Sequence, residues 1–197
     1  MAGWIAGSIS ATKRSEETIS EVVVVDEPPP TPVPTPEIST EPTEVTCTEP
    51  PIEFYDVPLT ENLQEYIMLL CEKEEIPVPL IIAMIEQESA FCAEIVSTTD
   101  DYGLMQINEV NHEWLSDRYS VTDFLDPYQN VYCGISIIGG YMREYEDITK
   151  ALMCYNMGEY GANQLWEKGV ESSSYSRGVL AKMNTYEEVN GGNSNHS

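Results

Sequence analysis

The stretch Ile76–Ser89, IPVPLIIAMIEQES, constrains this chain more than any other. No side chain from Leu80 to Ile85 is polar. A run this apolar reads as a helix inside a domain, and Pro79 is tolerated in its first turn, where no helical N–H bond is lost. Two carboxylates close the run. On a wheel at about 100° per residue, Glu88 lies within about 60° of Ile81, beside Met84 and Ile85. Glu86 falls at about 140°, on the polar edge. Two residues apart, they point apart and form no dyad with each other. A carboxylate on a buried stripe resists ionisation, because the charged form loses its water. That is the setting of a general acid in glycoside cleavage. A helix-end Glu turned to solvent, or one satisfied internally, would explain a lone carboxylate as well. The motifs that follow decide between these readings.

Other segments read as helices by the same logic. Thr60 is an N-cap for LTENLQEYIMLLCEKEE, where Leu63, Ile67, Leu70 and Cys71 recur at helical spacing. Asp126 and Pro127 open a helix in DPYQNVYCGISIIGGYMREY. Further helices are expected from Asp147 to a stop at Gly158, from there to Gly169, and over SSYSRGVLAKMNTYEEV, with a short one in NEVNHEWL. TTDDYG reads as a loop, and no strand ladder is evident. The fold class expected is mainly α. Trp114 and Trp166 are read as core rather than as sugar-stacking platforms.

Residues 21–56 differ in kind. EPPPTPVPTPEISTEPTEVTCTEPP has almost nothing to bury and reads as a disordered, acidic Pro/Thr/Glu-rich linker. In extended form, at about 3 Å per residue, some thirty residues of it reach roughly 90 Å. A spacer is the favoured reading; a PxxP ligand in PTPVPTP is the rival. Residues 1–20 contain an apolar run too short to span a bilayer, followed by Lys13 and Arg14. They read as the remnant of a signal or membrane anchor, or as a frayed terminus. The folded domain is placed at 57–189 and a disordered polar tail at 190–197.

The net charge of −25 narrows the partners. Residues 1–56 hold 11 acidic and 2 basic side chains, and residues 57–197 the other 23 and 7. With acid spread throughout, no basic patch can neutralise phosphates, so nucleic acid is not expected as a partner. Anionic membrane surfaces are disfavoured for the same reason. Five cysteines without a CxxC pair, and two histidines, offer no zinc spacing. STTDDYG lacks the alternating oxygens of a calcium loop. No metal or cofactor is expected. The odd cysteine count reads as mostly buried free thiols. Cys92 follows Glu88 closely, yet no histidine is placed to activate it.

ESAF at Glu88–Phe91, Ser97, YGLMQIN at Tyr102–Asn108, CYNMG at Cys154–Gly158 and SYSRGV from Ser174 form an ordered set. It resembles the catalytic domain of lytic transglycosylases of the soluble-lytic-transglycosylase type, whose fold is similar to goose-type lysozyme. The resemblance covers roughly Pro58 to Val189 and implies a lysozyme-like helical domain. It implies that Glu88 is the single catalytic acid and that Ser89 belongs to the Glu-Ser signature. Ser97, Gly103, Met105 and Gln106 would then belong to the sugar cleft, with Gly103 allowing a close backbone approach. Tyr155 and Asn156 would lie near the reacting sugars, and Tyr175 would contact the region of the catalytic Glu. Cys154 and Met157 stand where the family usually has Ala; repacking is expected, and Met157 could reshape a subsite.

The activity implied is non-hydrolytic cleavage of peptidoglycan glycan strands, giving 1,6-anhydro-N-acetylmuramic acid ends, by a monomer acting outside the cytoplasm at the wall or cell surface. Membrane contact is expected only through a missing N-terminal anchor. A hydrolytic muramidase on the same fold is the alternative, with Asp100 or Asp101 as the second carboxylate. A non-catalytic wall-binding module is a third reading, in which the acid at Glu88 has no purpose.

Overall fold

The computed structural model describes residues 53–193. The segment 1–20, the linker up to residue 52, Cys47 and residues 194–197 lie outside the described residues, as do the expectations made for them. Among the described residues the protein is mainly α-helical, as expected. The helices are α1 (Glu61–Glu74), α2 (Val78–Ser89), α3 (His112–Tyr119), α4 (Pro127–Tyr145), α5 (Ile148–Trp166) and α6 (Ser174–Asn193). α6 continues past residue 189, where a polar tail was expected to begin. No described helix is long and apolar enough to cross a membrane.

Local chemistry sets the helix starts. Thr60 accepts from the Leu63 N–H, Asp126 from that of Gln129 and Asp147 from that of Lys150, each satisfying a backbone donor left free in the first turn. The chain packs onto the domain from Tyr55, slightly before the boundary read at residue 57. The Tyr55 N–H donates to Gln64 Oε1 at 2.8 Å, and Gln64 Nε2 donates to the carbonyls of Tyr55 and Leu59.

α2 is the central element. Leu80, Ile81, Ile82, Ala83, Met84 and Ile85 are all fully buried, so this helix has no solvent face over that run. α6, α1 and the loops around it complete the enclosure, and α4 joins α1 to α5. The two helices expected on either side of Gly158 form one element, α5, with a break at that glycine (φ 70°, ψ 159°). The core includes Ile67 and Leu70 from α1, Ile135 and Ile138 from α4, Leu152 from α5 and Val179 from α6.

Two expectations need correction. The region read as a loop contains a short antiparallel ribbon, β1 (Asp101–Tyr102) with β2 (Ile107–Asn108), in the register Asp101↔Asn108 and Tyr102↔Ile107. Strands of two residues carry no alternation to read. Trp114 is not core: it is 42% exposed, with its indole N–H donating to Asn111. α3 is short and buries only Leu115, which leaves its neighbour on the outer side. Trp166 does pack inward, against the small cluster of Met153, Cys154 and Ala162.

Candidate active site

Glu88 stands in the last turn of α2, where the apolar face meets the start of an irregular segment. Part of its side chain reaches solvent, while protein crowds the carboxyl on its other sides. The Tyr175 hydroxyl, at the start of α6, donates to Glu88 Oε1 at 2.5 Å. Burial pushes the Glu88 carboxyl up to about 7; the Tyr175 hydrogen bond pulls against this, and the negative charge of Asp101 adds to it. Burial and the Glu88 charge also hold the Tyr175 and Tyr155 hydroxyls well above their ordinary range. Both phenols therefore stay protonated as donors near neutral pH.

The backbone around Glu88 is unusual. Ala90 (φ 48°), Phe91 (φ 65°), Asp100 (φ 58°), Gly103 (φ 72°) and Gln106 (φ 49°) all adopt left-handed conformations within a short span. For residues with a Cβ this costs about 1–2 kcal/mol each. Such a concentration beside a buried acid is what a site held by its surroundings looks like. Ser89 is buried; its hydroxyl donates back to the Ile85 carbonyl at 3.1 Å and closes the helix end.

Ser97 organises the next loop. Its hydroxyl donates to Asp101 Oδ2 at 2.7 Å and accepts from the backbone N–H groups of Thr99 and Asp101. Asp101 Oδ2 also accepts from Thr99 Oγ1 at 2.6 Å, and Oδ1 from Asn108 Nδ2 at 2.8 Å. Both oxygens of Asp101 are thus engaged within the loop and the ribbon. Asp100 is exposed.

The segment Gly103–Gln106 is fixed from beneath by Asn130 of α4, which is fully buried. Asn130 Nδ2 donates to the carbonyls of Tyr102 and Phe124, and Oδ1 accepts the Met105 N–H, each at 2.8 Å. A Cβ at Gly103 would come within 2.5 Å of Asn130 Nδ2 and 2.9 Å of the Phe124 carbonyl. The close approach that needs this glycine is therefore made by Asn130. Met105, expected to line a sugar cleft, departs from that expectation: it is fully buried and packs onto Gly134. Gln106 is partly exposed and donates to the Gly103 carbonyl at 2.9 Å. The Tyr155 hydroxyl donates to the Met105 carbonyl at 2.8 Å, tying α5 to the same segment. Asn156, next along, is partly exposed.

The structure thus joins Glu88 and Tyr175 directly, and links Tyr155, Met105, Gly103 and Gln106 through the backbone that Asn130 holds. The pattern defining the transglycosylase SLT domain matches residues 65–177, more than half of the chain. The chain belongs to the transglycosylase SLT-domain family. It is 30% identical over 105 residues to a transglycosylase of Enterobacteria phage PRD1, a match covering 53% of this chain and 37% of that protein. The chain thus spans little more than a third of that relative's length. Two solved structures are similar: an inactive mutant of the lytic transglycosylase Slt from Pseudomonas aeruginosa (TM-score 0.57, 17% identity) and the 70-kDa soluble lytic transglycosylase of Escherichia coli (TM-score 0.57, 22% identity). So is a 70-kDa soluble lytic transglycosylase in complex with bulgecin A (TM-score 0.58, 22% identity). Each match covers 68% of this chain and 25% of the other. At these identities the likeness establishes a shared fold.

Against this SLT domain, Cys154 and Met157 fall in one place. Cys154 is buried in the small cluster of Met153 and Ala162, and Met157 packs against that cluster. Gly161 makes room, since a Cβ there would sit 3.2 Å from Met157 Cγ. Two residues of this arrangement carry no motif of their own in the sequence. Asn130 lies in the buried stripe of Val131, Gly134, Ile135 and Ile138, and a polar residue there was the available signal. Asn108, which clamps Asp101 across the ribbon, carried no such mark.

Proposed function

We propose that this chain is a peptidoglycan lytic transglycosylase in which Glu88 acts alone, first as acid and then as base. The observation that carries the reading is a carboxyl raised to about 7 by burial, at the end of an apolar helix, with the Tyr175 hydroxyl on Oε1. The solved relatives are named lytic transglycosylases, and the phage relative a transglycosylase, which supports the same class.

Peptidoglycan strands alternate N-acetylglucosamine and N-acetylmuramic acid. With Oε1 accepting the Tyr175 hydroxyl, the transferable proton belongs on Oε2. It goes to the glycosidic oxygen as the bond to the muramoyl C1 breaks. The substrate's own N-acetyl group stabilises the oxocarbenium-like centre. The Glu88 carboxylate then accepts the proton of the C6 hydroxyl, whose oxygen closes onto C1. One bond breaks, one forms, no water is consumed, and Glu88 ends protonated as it began. A pKa near 7 suits both halves, since proton donor and acceptor are the same group. Cleavage should fall above about pH 7 as the acid form is lost.

Asn156, partly exposed beside Tyr155, is assigned to the sugar. Gln106 and Tyr155 are assigned to the cleft wall. A water-activating second carboxylate has less support: Asp101 has both oxygens occupied by Ser97, Thr99 and Asn108. Because the polymer lies outside the cytoplasm, the enzyme is assigned there, as a monomer. The test is mass spectrometry of muropeptides after digestion of purified peptidoglycan, beside a Glu88→Gln control. Anhydro-muramoyl ends absent from the control are expected. Reducing ends would make the enzyme a muramidase, and no products would leave a wall-binding module.

A further inference from the structure

Glu86 takes no part in the chemistry assigned to Glu88, yet it is the better connected of the two. Lys182 Nζ donates to its Oε1, and the Tyr186 hydroxyl donates to Oε2 at 2.6 Å. Burial alone would raise this carboxyl; hydrogen bonds from Lys182 and Tyr186 outweigh it and hold the group below its ordinary value. Both partners lie on α6, the helix that carries Tyr175. Positions 175, 182 and 186 fall within about 40° of one another around a helix, so the three make one stripe. That stripe meets the last turn of α2 twice: Tyr175 takes Glu88, and Lys182 with Tyr186 takes Glu86. A slide of α6 by one residue, about 1.5 Å, would break the 2.5 Å bond from Tyr175. The pair itself adds little stability, since both side chains are 31% exposed to screening water.

We propose that Glu86 is a positioning residue: with Lys182 and Tyr186 it fixes the register of α6 on α2, and so holds the Tyr175 hydroxyl on the catalytic Glu88. The inference rests on the catalytic reading of Glu88, and its test separates the two. The groups facing Glu88 are Tyr175 from α6, Asp101 from β1 and Tyr155 from α5; those facing Glu86 are Lys182 and Tyr186.

The experiment is an NMR titration of the Glu88 carboxyl in the full chain, beside the pH profile of glycan cleavage. Glu86→Gln removes a negative charge, which by itself lowers the Glu88 midpoint. Loss of register removes the Tyr175 hydrogen bond, which raises it. The signs oppose, so the direction decides. The expected result is a midpoint raised by about half a pH unit or more, with kcat down about tenfold and KM little changed. Lys182→Arg, which keeps the pair, should titrate as the wild type. Should Glu86→Gln lose its fold, Tyr186→Phe removes one oxygen and no charge, with the same upward sign expected. An unchanged or lowered midpoint overturns the proposal. The titration needs no turnover, so a wild type that cleaves no glycan refutes the catalytic reading and leaves the clamp to be judged by the midpoint.

Discussion

Glu88→Gln should abolish cleavage and yet make the protein more stable at alkaline pH. The carboxyl titrates at 4.5 when unperturbed and is raised to about 7 in the fold, chiefly because burial penalises its charge. Over that interval the native state keeps a proton that the unfolded chain has released. Stability therefore falls as pH climbs from about 4.5 to about 7, and then levels off. At about 1.36 kcal/mol for each pH unit, the whole interval is worth about 3 kcal/mol. Glutamine never ionises and keeps a carbonyl oxygen for the Tyr175 hydroxyl. Near pH ~4 both side chains are neutral, and the two proteins should agree within about 1 kcal/mol. Near pH ~8 the variant should be more stable by about 2–3 kcal/mol. Urea unfolding followed by far-ultraviolet circular dichroism across this range reads the difference directly. A gap that does not change with pH, or a variant less stable in alkali, would show that Glu88 ionises freely and would remove the ground for its role as acid.

Other outcomes follow from the same geometry. Tyr175→Phe removes a hydrogen bond that favours the Glu88 carboxylate, so the alkaline limb of the pH profile should move upward, with kcat reduced by about tenfold to a hundredfold; an unmoved limb would detach Tyr175 from the acid. Gly103→Ala must adopt φ 72° and displace Asn130, which makes three hydrogen bonds, so unfolding should need about 3–5 kcal/mol less, measured by urea titration. A cost under about 1 kcal/mol would mean that the segment shifts freely. The net charge of −25 should slow entry into an anionic wall, so added salt should speed digestion of intact peptidoglycan; rates indifferent to ionic strength would contradict this.

Helix starts were legible because a single capping side chain carries each: Thr60, Asp126 and Asp147 announce themselves without tertiary context. The position of Glu88 was legible for a related reason, since a carboxylate in phase with Ile81 and Ile85 conflicts with its surroundings. The wheel was less informative about Glu86. It marked a polar edge, but α2 is enclosed over Leu80–Ile85, and beyond that run Glu86 meets the polar stripe of α6, a partner some hundred residues away in sequence. The roles of Gly103 and Met105 were hidden for the same cause. Their neighbours, Asn130 and Gly134, come from α4, and no local pattern shows which helix lies beneath a loop. Trp114 was misplaced because a short helix with one buried residue gives the wheel too little to orient by.

In the proposed mechanism the sugar's own C6 hydroxyl, and not water, closes the reaction on Glu88. Digestion of purified peptidoglycan in heavy-oxygen water tests it most directly, with the isotope content of the new ends read by mass spectrometry. Anhydro-muramoyl ends carrying no heavy oxygen are expected, and none of these ends with Glu88→Gln. Heavy oxygen at the muramoyl C1 of the products would mean that water attacks there, and would contradict a single-carboxylate, non-hydrolytic mechanism.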